Sequence, residues 1–513
     1  MGQNNVALVL LLALVLAVTG GLVIGVVSST SVEAPAPTTE AVAQVEETEP
    51  PQTVVDASTT TVVSSSVTLP KHPQAVSTIA VSGADTIGDS LYPLMGNGGY
   101  DAAHYTIELS VDVANNVIQG STTIDATATQ NLIAFNLDFQ GLTISSVQVN
   151  DHSADFIRQG DELTVLPGKR LEAGEAFSTT VYYSGTPKPI HDPALGFTTI
   201  GWNPQPNGTF VVNEPSGAKS WYPVNDHPLD KATYTFRITV PAPYQVAANG
   251  LLKGKIEGAH GTTYVWEATD PMASYLTTVQ IAEYDVETDT SASGVVLRNY
   301  FPTGTPDVVK AKFASTPQML AFLEDILGPY PFESYGVVLL NVDVGFALET
   351  QTLSTFSKQG AAEIVVIHEL LHQWFGNSVS LSDWRDIWLN EGFATYFSFL
   401  WLEHRNGAAP FLQQMDGIYR QLVNRRMGPP GSVGVDTLFG NTVYLRGAWT
   451  LHALRLEVGD ERFFEILRTY YERFKDKNAN TQSFIAVVNE VSGQDLSALI
   501  NAWLYDEAVP PHP

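Results

Sequence analysis

Hydrophobic and polar residues alternate along much of the first half of the chain. The runs Tyr105–Val111, Ser178–Tyr183 and Tyr234–Val240 place apolar side chains at every second position and are rich in β-branched residues. A period of two is that of a strand with one buried face. Gly, Pro, Asn and Asp separate the runs, as expected of turns. The pattern predicts an antiparallel all-β domain over residues 100–289.

The apolar spacing changes to a helical period from residue 290 onward. Val309–Leu327 predicts a helix that stops at Gly328 and Pro329, and a strand is expected around Val337–Val342. Further helices are predicted near residues 361–375, 388–404, 442–457 and 462–474, with two short ones before the C-terminus. Residues 290–513 therefore form a second predicted domain, which is mostly helical.

The N-terminus carries an uncharged run, Val6–Val27, made mainly of Leu, Val, Ala and Gly. As a helix it is long enough to cross about 30 Å of hydrocarbon. We predict that residues 1–28 are a transmembrane anchor or uncleaved signal, with the bulk of the chain outside the cytoplasm. Val32-Glu33-Ala34 resembles a small-residue cleavage site, so secretion after signal cleavage is the alternative.

Residues 29–99 are rich in Ser, Thr, Val, Pro and Glu. The segment lacks the apolar periodicity needed to bury a core, which predicts a disordered linker or stalk. Ser/Thr-rich stretches that hold Val can form a strand, so part of the segment can pack on the folded body. The expected organisation is thus multidomain: membrane segment, linker, β domain and helical domain.

The amino-acid composition excludes several kinds of binding site. The chain has 513 residues with 54 Asp and Glu against 26 Lys and Arg, a formal net charge of −28. Nucleic-acid binding through phosphates needs a basic surface, which this balance excludes. Cys is absent from the sequence, so disulfides and thiolate metal sites are excluded too. Any metal must be held by His and carboxylate. The composition does not specify an oligomeric state.

The strongest chemical signal is the H-E-x-x-H pattern over His368–His372. On a helix, residues four apart share a face, so both imidazoles can bind one Zn²⁺ while Glu369 faces the water that is activated. A catalytic zinc takes three protein ligands and keeps one position open. The sequence therefore predicts a third ligand elsewhere in the chain.

Eighteen residues separate His372 from Glu391, which opens the run Glu391-Gly392-Phe393-Ala394. This spacing and run resemble the gluzincin aminopeptidases, the family of aminopeptidase N and leukotriene hydrolase, and the resemblance extends from about residue 100 to the C-terminus. It implies a saddle-like β domain, a thermolysin-like α+β zinc peptidase domain, and one Zn²⁺ per chain with Glu391 as third ligand. Gly392 and Ala394 are small enough to let two helices approach closely.

The same resemblance implies roles for residues outside the zinc motif. Thr442–Ala448 is similar to the family segment V-Y-x-K-G-A, with Arg446 in place of Lys. It implies that the Tyr444 hydroxyl donates to the oxyanion while Glu369 acts as general base.

Phe346–Thr350 corresponds to the family segment G-x-M-E-N, of which Ala347 and Glu349 match. The resemblance implies that peptide substrate adds as a strand beside Ala347 and that Glu349 pairs with its free amine. Val212 stands where many members carry a Gln that helps bind the amine, but Glu214 lies two residues on. Ala347, Glu349 and Glu214 are the candidate substrate-binding residues.

The resemblance thus implies a zinc-dependent aminopeptidase that hydrolyses the N-terminal bond of peptides. The departures around Glu349, and the end of the chain soon after the predicted helices, favour a zinc endopeptidase as the alternative. A catalytically silent surface binding module is a third reading. It would lack a ligand, the base or the oxyanion donor, and each of these has a candidate residue.

Overall fold

The computed structural model describes residues 81–196 and 198–513. The predicted membrane segment and most of the predicted linker lie outside these residues. Within the described part of the chain, no helix combines the length and apolarity that crossing a bilayer requires.

The described strands are β1 (Val81–Ser82), β2 (Tyr100–Asp112), β3 (Val117–Ala128), β4 (Leu132–Asp138), β5 (Thr143–Val149), β6 (His152–Gln159), β7 (Glu162–Leu166), β8 (Ala176–Gly185), β9 (Ile190–His191), β10 (Thr199–Gln205), β11 (Gly208–Val212), β12 (Ala232–Val240), β13 (Gln245–Ala248), β14 (Leu251–Gly258), β15 (Gly261–Met272), β16 (Val279–Ala282), β17 (Tyr284–Thr290), β18 (Val296–Pro302), β19 (Ser334–Leu339), β20 (Ala347–Leu348), β21 (Ser354–Phe356), β22 (Ser380–Leu381) and β23 (Asn478–Ala479). The α-helices are α1 (Asp307–Lys310), α2 (Thr316–Leu327), α3 (Glu363–Leu371), α4 (Trp388–Asn406), α5 (Ala408–Arg425), α6 (Asn441–Val458), α7 (Asp460–Phe474), α8 (Thr481–Ser492) and α9 (Ser497–Tyr505).

The first half is the expected β domain, built on an 11-stranded sheet and a 5-stranded sheet. The large sheet has the order β1-β4-β7-β6-β5-β8-β3-β2-β12-β15-β14, and the smaller one β13-β16-β11-β10-β9. The expectation of purely antiparallel pairing was wrong, because β12 runs parallel to β2 and β1 runs parallel to β4. Both pairs join strands that are distant in the chain, where a long connection permits parallel pairing.

The end of the predicted linker is folded rather than disordered, which agrees with the expectation that part of the segment can form a strand and pack on the folded body. Strand β1 pairs with β4, and Asp89 is buried and accepts hydrogen bonds from Tyr92 N, Trp384 N and His227 Nε2 at 2.8, 2.8 and 3.2 Å. Hydrogen bonds between polar side chains and the backbone hold this segment in place. Its folded state therefore left no hydrophobic periodicity in the sequence.

The second half begins with a mixed sheet of order β17-β18-β19-β21-β20. Strand β21 runs parallel to β19, whereas β20 pairs antiparallel with β21 and forms the edge of the sheet. Glu349 follows β20 directly, so it lies at the end of an edge strand. Strand β17 ends at residue 290, where the domain boundary is predicted. The position of that boundary stays a prediction.

Two helix predictions differ from the structure. The helix expected over residues 309–327 is divided into the end of α1, a 3-10 turn at Ala311–Phe313 and α2, because Pro317, which lacks an N–H, sits in the first turn of a new helix. Helix α5 was not predicted. Its signal was apolar residues at helical spacing, all buried: Phe411, Met415, Ile418 and Leu422.

The core of the helical half centres on α4, which is buried from Trp388 to Trp401. Helix α6 crosses α4 where Gly392 faces Gly447, and a Cβ built on Gly392 would lie 2.9 Å from the Gly447 Cα. The two helices thus touch backbone to backbone, as expected from the small residue at 392. This contact lies next to Glu391 and sets its position.

Candidate active site

The predicted metal ligands meet between two helices. His368 and Glu369 lie on α3, His372 follows its last residue, and Glu391 lies in the first turn of α4. His368 Nε2 is 3.1 Å and His372 Nε2 is 3.6 Å from Glu391 Oε2. All three ligand groups are buried and lie within 4.8 Å of one another.

This donor set fits a zinc ion. Two ligands at zinc–nitrogen and zinc–oxygen distances of about 2.0–2.1 Å in a tetrahedron are about 3.3 Å apart, and the observed separations bracket that value. His372 Nδ1 donates to the Phe375 carbonyl at 3.1 Å, which leaves Nε2 as the free ligand atom. His368, His372 and Glu391 would therefore hold the metal.

Glu369 lies on the same turn of α3 as the ligands and is buried. Burial, together with the charges of Glu349 and Glu391, raises its pKa well above the usual range, although His372 acts in the opposite direction. A carboxyl group in such surroundings takes up a proton readily, which is what a general base must do.

Tyr444 lies near the start of α6 and is half-buried. Its ring stacks on His368 with centroids 6.1 Å apart and planes 18° apart. Burial, and then the carboxylates of Glu391 and Glu214, raise the pKa of Tyr444 well above the usual range. The phenol thus stays protonated beside the metal ligands, as a hydrogen-bond donor must.

Ala347 and Glu349 lie together at the edge of the sheet. Ala347 is half-buried on β20, whereas Glu349 is buried with Oε1 3.8 Å from His372 Nδ1. Its backbone carbonyl accepts from Gln373 Nε2 at 3.1 Å and Asn377 Nδ2 at 2.7 Å. The edge carboxylate is therefore turned into the metal site.

Glu214 reaches the same cluster from the β domain. It is buried, and its carboxylate oxygen lies within 4.8 Å of those of Glu349 and Glu391. Burial raises the pKa of Glu214 well above the usual range, and Glu349, Glu391 and Glu369 raise it further. All residues predicted for catalysis, metal binding and amine binding thus converge on one place.

The electrostatics of this cluster favour positive charge. Although burial lowers it, the pKa of His372 is raised to about 10 by Glu349 and Glu391. Four buried carboxylates stand around two imidazoles, and such charges are stable only when paired. A divalent cation or an ammonium group would supply that pairing.

Sequence reasoning assigned no role to Gln373 and Asn377, which the structure places on the Glu349 carbonyl. Both lie in the run His372–Asn377 that resembles the flank of the family's zinc motif. Spacing along a helix does not show which distant carbonyl an amide will reach, so the run alone could not give this contact.

Two family models match the chain. The model described as "Peptidase M1 N-terminal domain" matches residues 101–276, and that described as "Peptidase family M1 domain" matches residues 313–503.

Curated relatives carry aminopeptidase names. "Aminopeptidase M1-A" of Oryza sativa subsp. japonica is 27% identical over 448 residues, which cover 79% of this chain and 50% of that protein. "Glutamyl aminopeptidase" of Sus scrofa is 28% identical over 331 residues, covering 57% of this chain and 34% of that protein. The chain spans about half the length, or less, of the curated relatives it matches.

Solved structures match along their whole length. An M1 zinc metallopeptidase from Deinococcus radiodurans has a TM-score of 0.79 and 32% identity, covering 83% of this chain and 98% of that one. A mutant of the Deinococcus enzyme bound to a Tyr-Ser-Ala substrate gives the same TM-score and identity, covering 83% of this chain and 99% of that one.

Proposed function

The chain belongs to peptidase family M1, and from that premise we propose that it is a zinc-dependent aminopeptidase acting on peptides. The observation that carries the proposal is the meeting of two different sites in one cluster. The predicted zinc ligands lie beside two further buried carboxylates, Glu349 at the end of the edge strand β20 and Glu214 from the β domain. An endopeptidase needs only the zinc ligands, whereas an aminopeptidase needs the zinc ligands and the carboxylate pair.

Substrate binding follows from the edge position of β20. A peptide in extended conformation adds to this edge through backbone hydrogen bonds near Ala347, as strands add to other open sheets. Its ammonium group then lies at Glu349, with Glu214 beside it. A buried carboxylate pair makes a strong, charge-assisted contact only with a free amine. The site therefore selects peptides whose N-terminus is free and cleaves at a fixed position from it.

Hydrolysis of the first peptide bond then uses residues already in place. When bound, zinc supplies Lewis acidity, which polarises the peptide carbonyl and lowers the pKa of water. Glu369 accepts a proton from the attacking water and returns it to the nitrogen of the leaving amine. The Tyr444 hydroxyl donates to the carbonyl oxygen as negative charge develops there.

The proposal is tested on the full chain with matched peptides. Zinc content is measured first, and kcat/KM is then determined for peptide pairs that differ only in a free or acetylated N-terminus. The expected result is one zinc per chain and cleavage of the free peptide alone. Equal cleavage of both would establish the endopeptidase, whereas zinc binding without cleavage of either would favour the silent binding module.

Glu349→Ala identifies the group that reads the amine. Loss of a charge-assisted contact of about 1.5–3 kcal/mol lowers kcat/KM on free peptides by about 10- to 160-fold while zinc content stays unchanged. The exposed Glu457 provides the matched control Glu457→Ala, which leaves both values unchanged. If Glu349→Ala keeps the full preference for a free amine, Glu214→Gln is the next variant.

We also propose that Val6–Val27 anchors the chain in a membrane, with residues from about 29 onward outside the cytoplasm. The support for an anchor is the uncharged apolar run itself. The first Lys or Arg is Lys71, so basic flanks do not set the orientation, and the outside placement rests on the Glu-bearing segment that follows the run. An anchored chain stays with membranes after alkaline washing and is digested by protease added from outside. A chain found free in the medium, shortened near Ala34, would establish secretion instead.

A further inference from the structure

The turn after Glu349 contains a strained residue. Thr352 has a backbone φ of +65°, in the left-handed region. A β-branched side chain rarely adopts this conformation, because its Cβ substituents crowd the backbone there. Thr352 is buried and only three residues from Glu349, so something must hold the turn in this shape.

One side chain bridges both ends of the turn. Gln373 Nε2 donates to the Glu349 carbonyl at 3.1 Å, and Gln373 Oε1 accepts from Thr352 N at 2.9 Å. Asn377 Nδ2 adds a second donor to the Glu349 carbonyl at 2.7 Å. Gln373 directly follows the predicted ligand His372, so its amide connects the turn to the segment that carries the metal ligands.

The other side of the turn is held from the β domain and β18. Thr352 Oγ1 accepts from Gly250 N at 2.8 Å and from Arg298 Nη2 at 3.2 Å. Asn249 Nδ2 donates to the Gln351 carbonyl at 2.7 Å. The strained conformation is thus fixed from two sides, and only the Gln373 side touches Glu349 itself.

We propose that Gln373 is a positioning residue for amine recognition. Its amide holds the strained turn in the shape that directs the Glu349 carboxylate into the metal site. This inference rests on the proposed function, because it explains how the amine-binding group is kept in place. Without the amide, Thr352 relaxes toward negative φ, and the Glu349 carbonyl and carboxylate leave their positions.

The test combines loss of the amide with relief of the strain. Gln373→Met keeps the length of the side chain but removes its hydrogen bonds to the Glu349 carbonyl and Thr352 N, together with a longer one of 3.4 Å from the Tyr330 hydroxyl. Thr352→Gly lets residue 352 take positive φ at little cost, since Gly has no Cβ. It also removes the Oγ1 acceptor of Gly250 N and Arg298 Nη2, so Thr352→Gly alone is the reference for the double variant. If Gln373 acts by holding the strained turn, Thr352→Gly restores in the double variant what Gln373→Met removes.

Two readouts are measured on the full chain loaded with zinc. The first is the ratio of kcat/KM for free and acetylated peptides, and the second is the Kd of a free amino acid by calorimetry. In Gln373→Met we expect the ratio to fall and the Kd to rise by at least about tenfold, the scale for a buried group left without its partner. Zinc content is unchanged. In the double variant both readouts return to within about threefold of Thr352→Gly alone.

Asn478 offers a matched control, because its amide also donates to two carbonyls, those of Pro228 and Leu381, and neither belongs to the turn at residues 349–352. Asn478→Leu leaves both readouts unchanged, while Asn377→Leu shifts them in the direction of Gln373→Met. Asn377→Leu keeps the test decisive if Gln373→Met does not fold.

The outcomes separate the two proposals. If the unmutated protein prefers free amines and Gln373→Met keeps that preference and the Kd, the inference is overturned and the proposed function stands. Loss of the preference without recovery in the double variant shows a general packing role and overturns the inference too. An unmutated protein that neither prefers free amines nor binds an amino acid overturns both proposals.

Discussion

The contact between α4 and α6 allows a prediction whose sign is set by the structure. In Gly392→Ala, the added Cβ lies 2.9 Å from both Cα and C of Gly447 and 3.3 Å from Ala448 N. Ordinary carbon contacts begin near 3.5 Å. The obstructing atoms belong to backbone, which cannot rotate away as a side chain can. The helices must therefore move apart at the point where they carry the active site.

The size of the effect follows from two opposing contributions. Overpacking costs about 1–3 kcal/mol, and a backbone obstacle places this site in the upper half of that range. Gly→Ala in a helix interior contributes about 1 kcal/mol of stabilisation. We expect a net destabilisation of about 1–2 kcal/mol. In Gly417→Ala, on α5, the new Cβ meets no described atom within 4 Å beyond its own helix and chain neighbours, so only the stabilisation remains.

The assay compares these two variants with the unmutated protein. Thermal unfolding midpoints are followed by Trp fluorescence and calorimetry, and kcat/KM is measured on a free-amine peptide. Gly392→Ala should unfold at a lower temperature and lose activity, since Glu391 and Tyr444 flank the contact on the two helices. Gly417→Ala should unfold at the same or a higher temperature with full activity. A Gly392→Ala protein as stable as Gly417→Ala would refute the reasoning.

Three further predictions concern the site itself. Glu369→Gln keeps all three ligands, so zinc content by elemental analysis stays at one per chain while kcat falls by at least about 10²-fold. Near-normal turnover would remove Glu369 as the base. Tyr444→Phe deletes one hydroxyl, so kcat should fall by about 10²- to 10³-fold with KM little changed. A changed KM at unchanged kcat would make Tyr444 a binding residue. Glu391→Ala leaves two imidazoles, which hold zinc weakly, so metal should be lost on dialysis. Full occupancy after dialysis would mean that another group is the third ligand.

The residues of the site could be predicted because their signals are local or carried by a motif. The two imidazoles of the zinc motif share a face through helical spacing, and a strand or helix with one buried face shows its period directly. Glu391 needed the resemblance, since no periodicity relates it to His372. The structure brings His368, His372 and Glu391 together across two helices. Whether they bind metal as assigned stays a prediction until it is measured.

Hydrogen bonds from side chains to backbone carbonyls could not be predicted from the sequence. Arg446 stands where the family segment has Lys, and the neighbouring residues in the sequence do not explain this difference. The structure buries it completely and satisfies its guanidinium with the carbonyls of Met427, Ala502, Trp503, Asp506 and Ala508. Four of these five lie in the last turn of α9 or follow it, and carbonyls at a helix C-terminus have few intrahelical partners and carry partial negative charge.

Arg446 and Gln373 illustrate one physical reason for this limit. A carbonyl is present at every residue, so its use as an acceptor leaves no mark on the sequence around it. The donor is visible, but a planar guanidinium or an amide has many possible partners until the fold selects one. Arg446 lies two residues from Tyr444 and Gln373 lies next to His372, so such donors fix the surroundings of groups that motifs identify. The motif therefore predicts the chemistry, whereas the geometry that makes it work depends on contacts which only the folded chain defines.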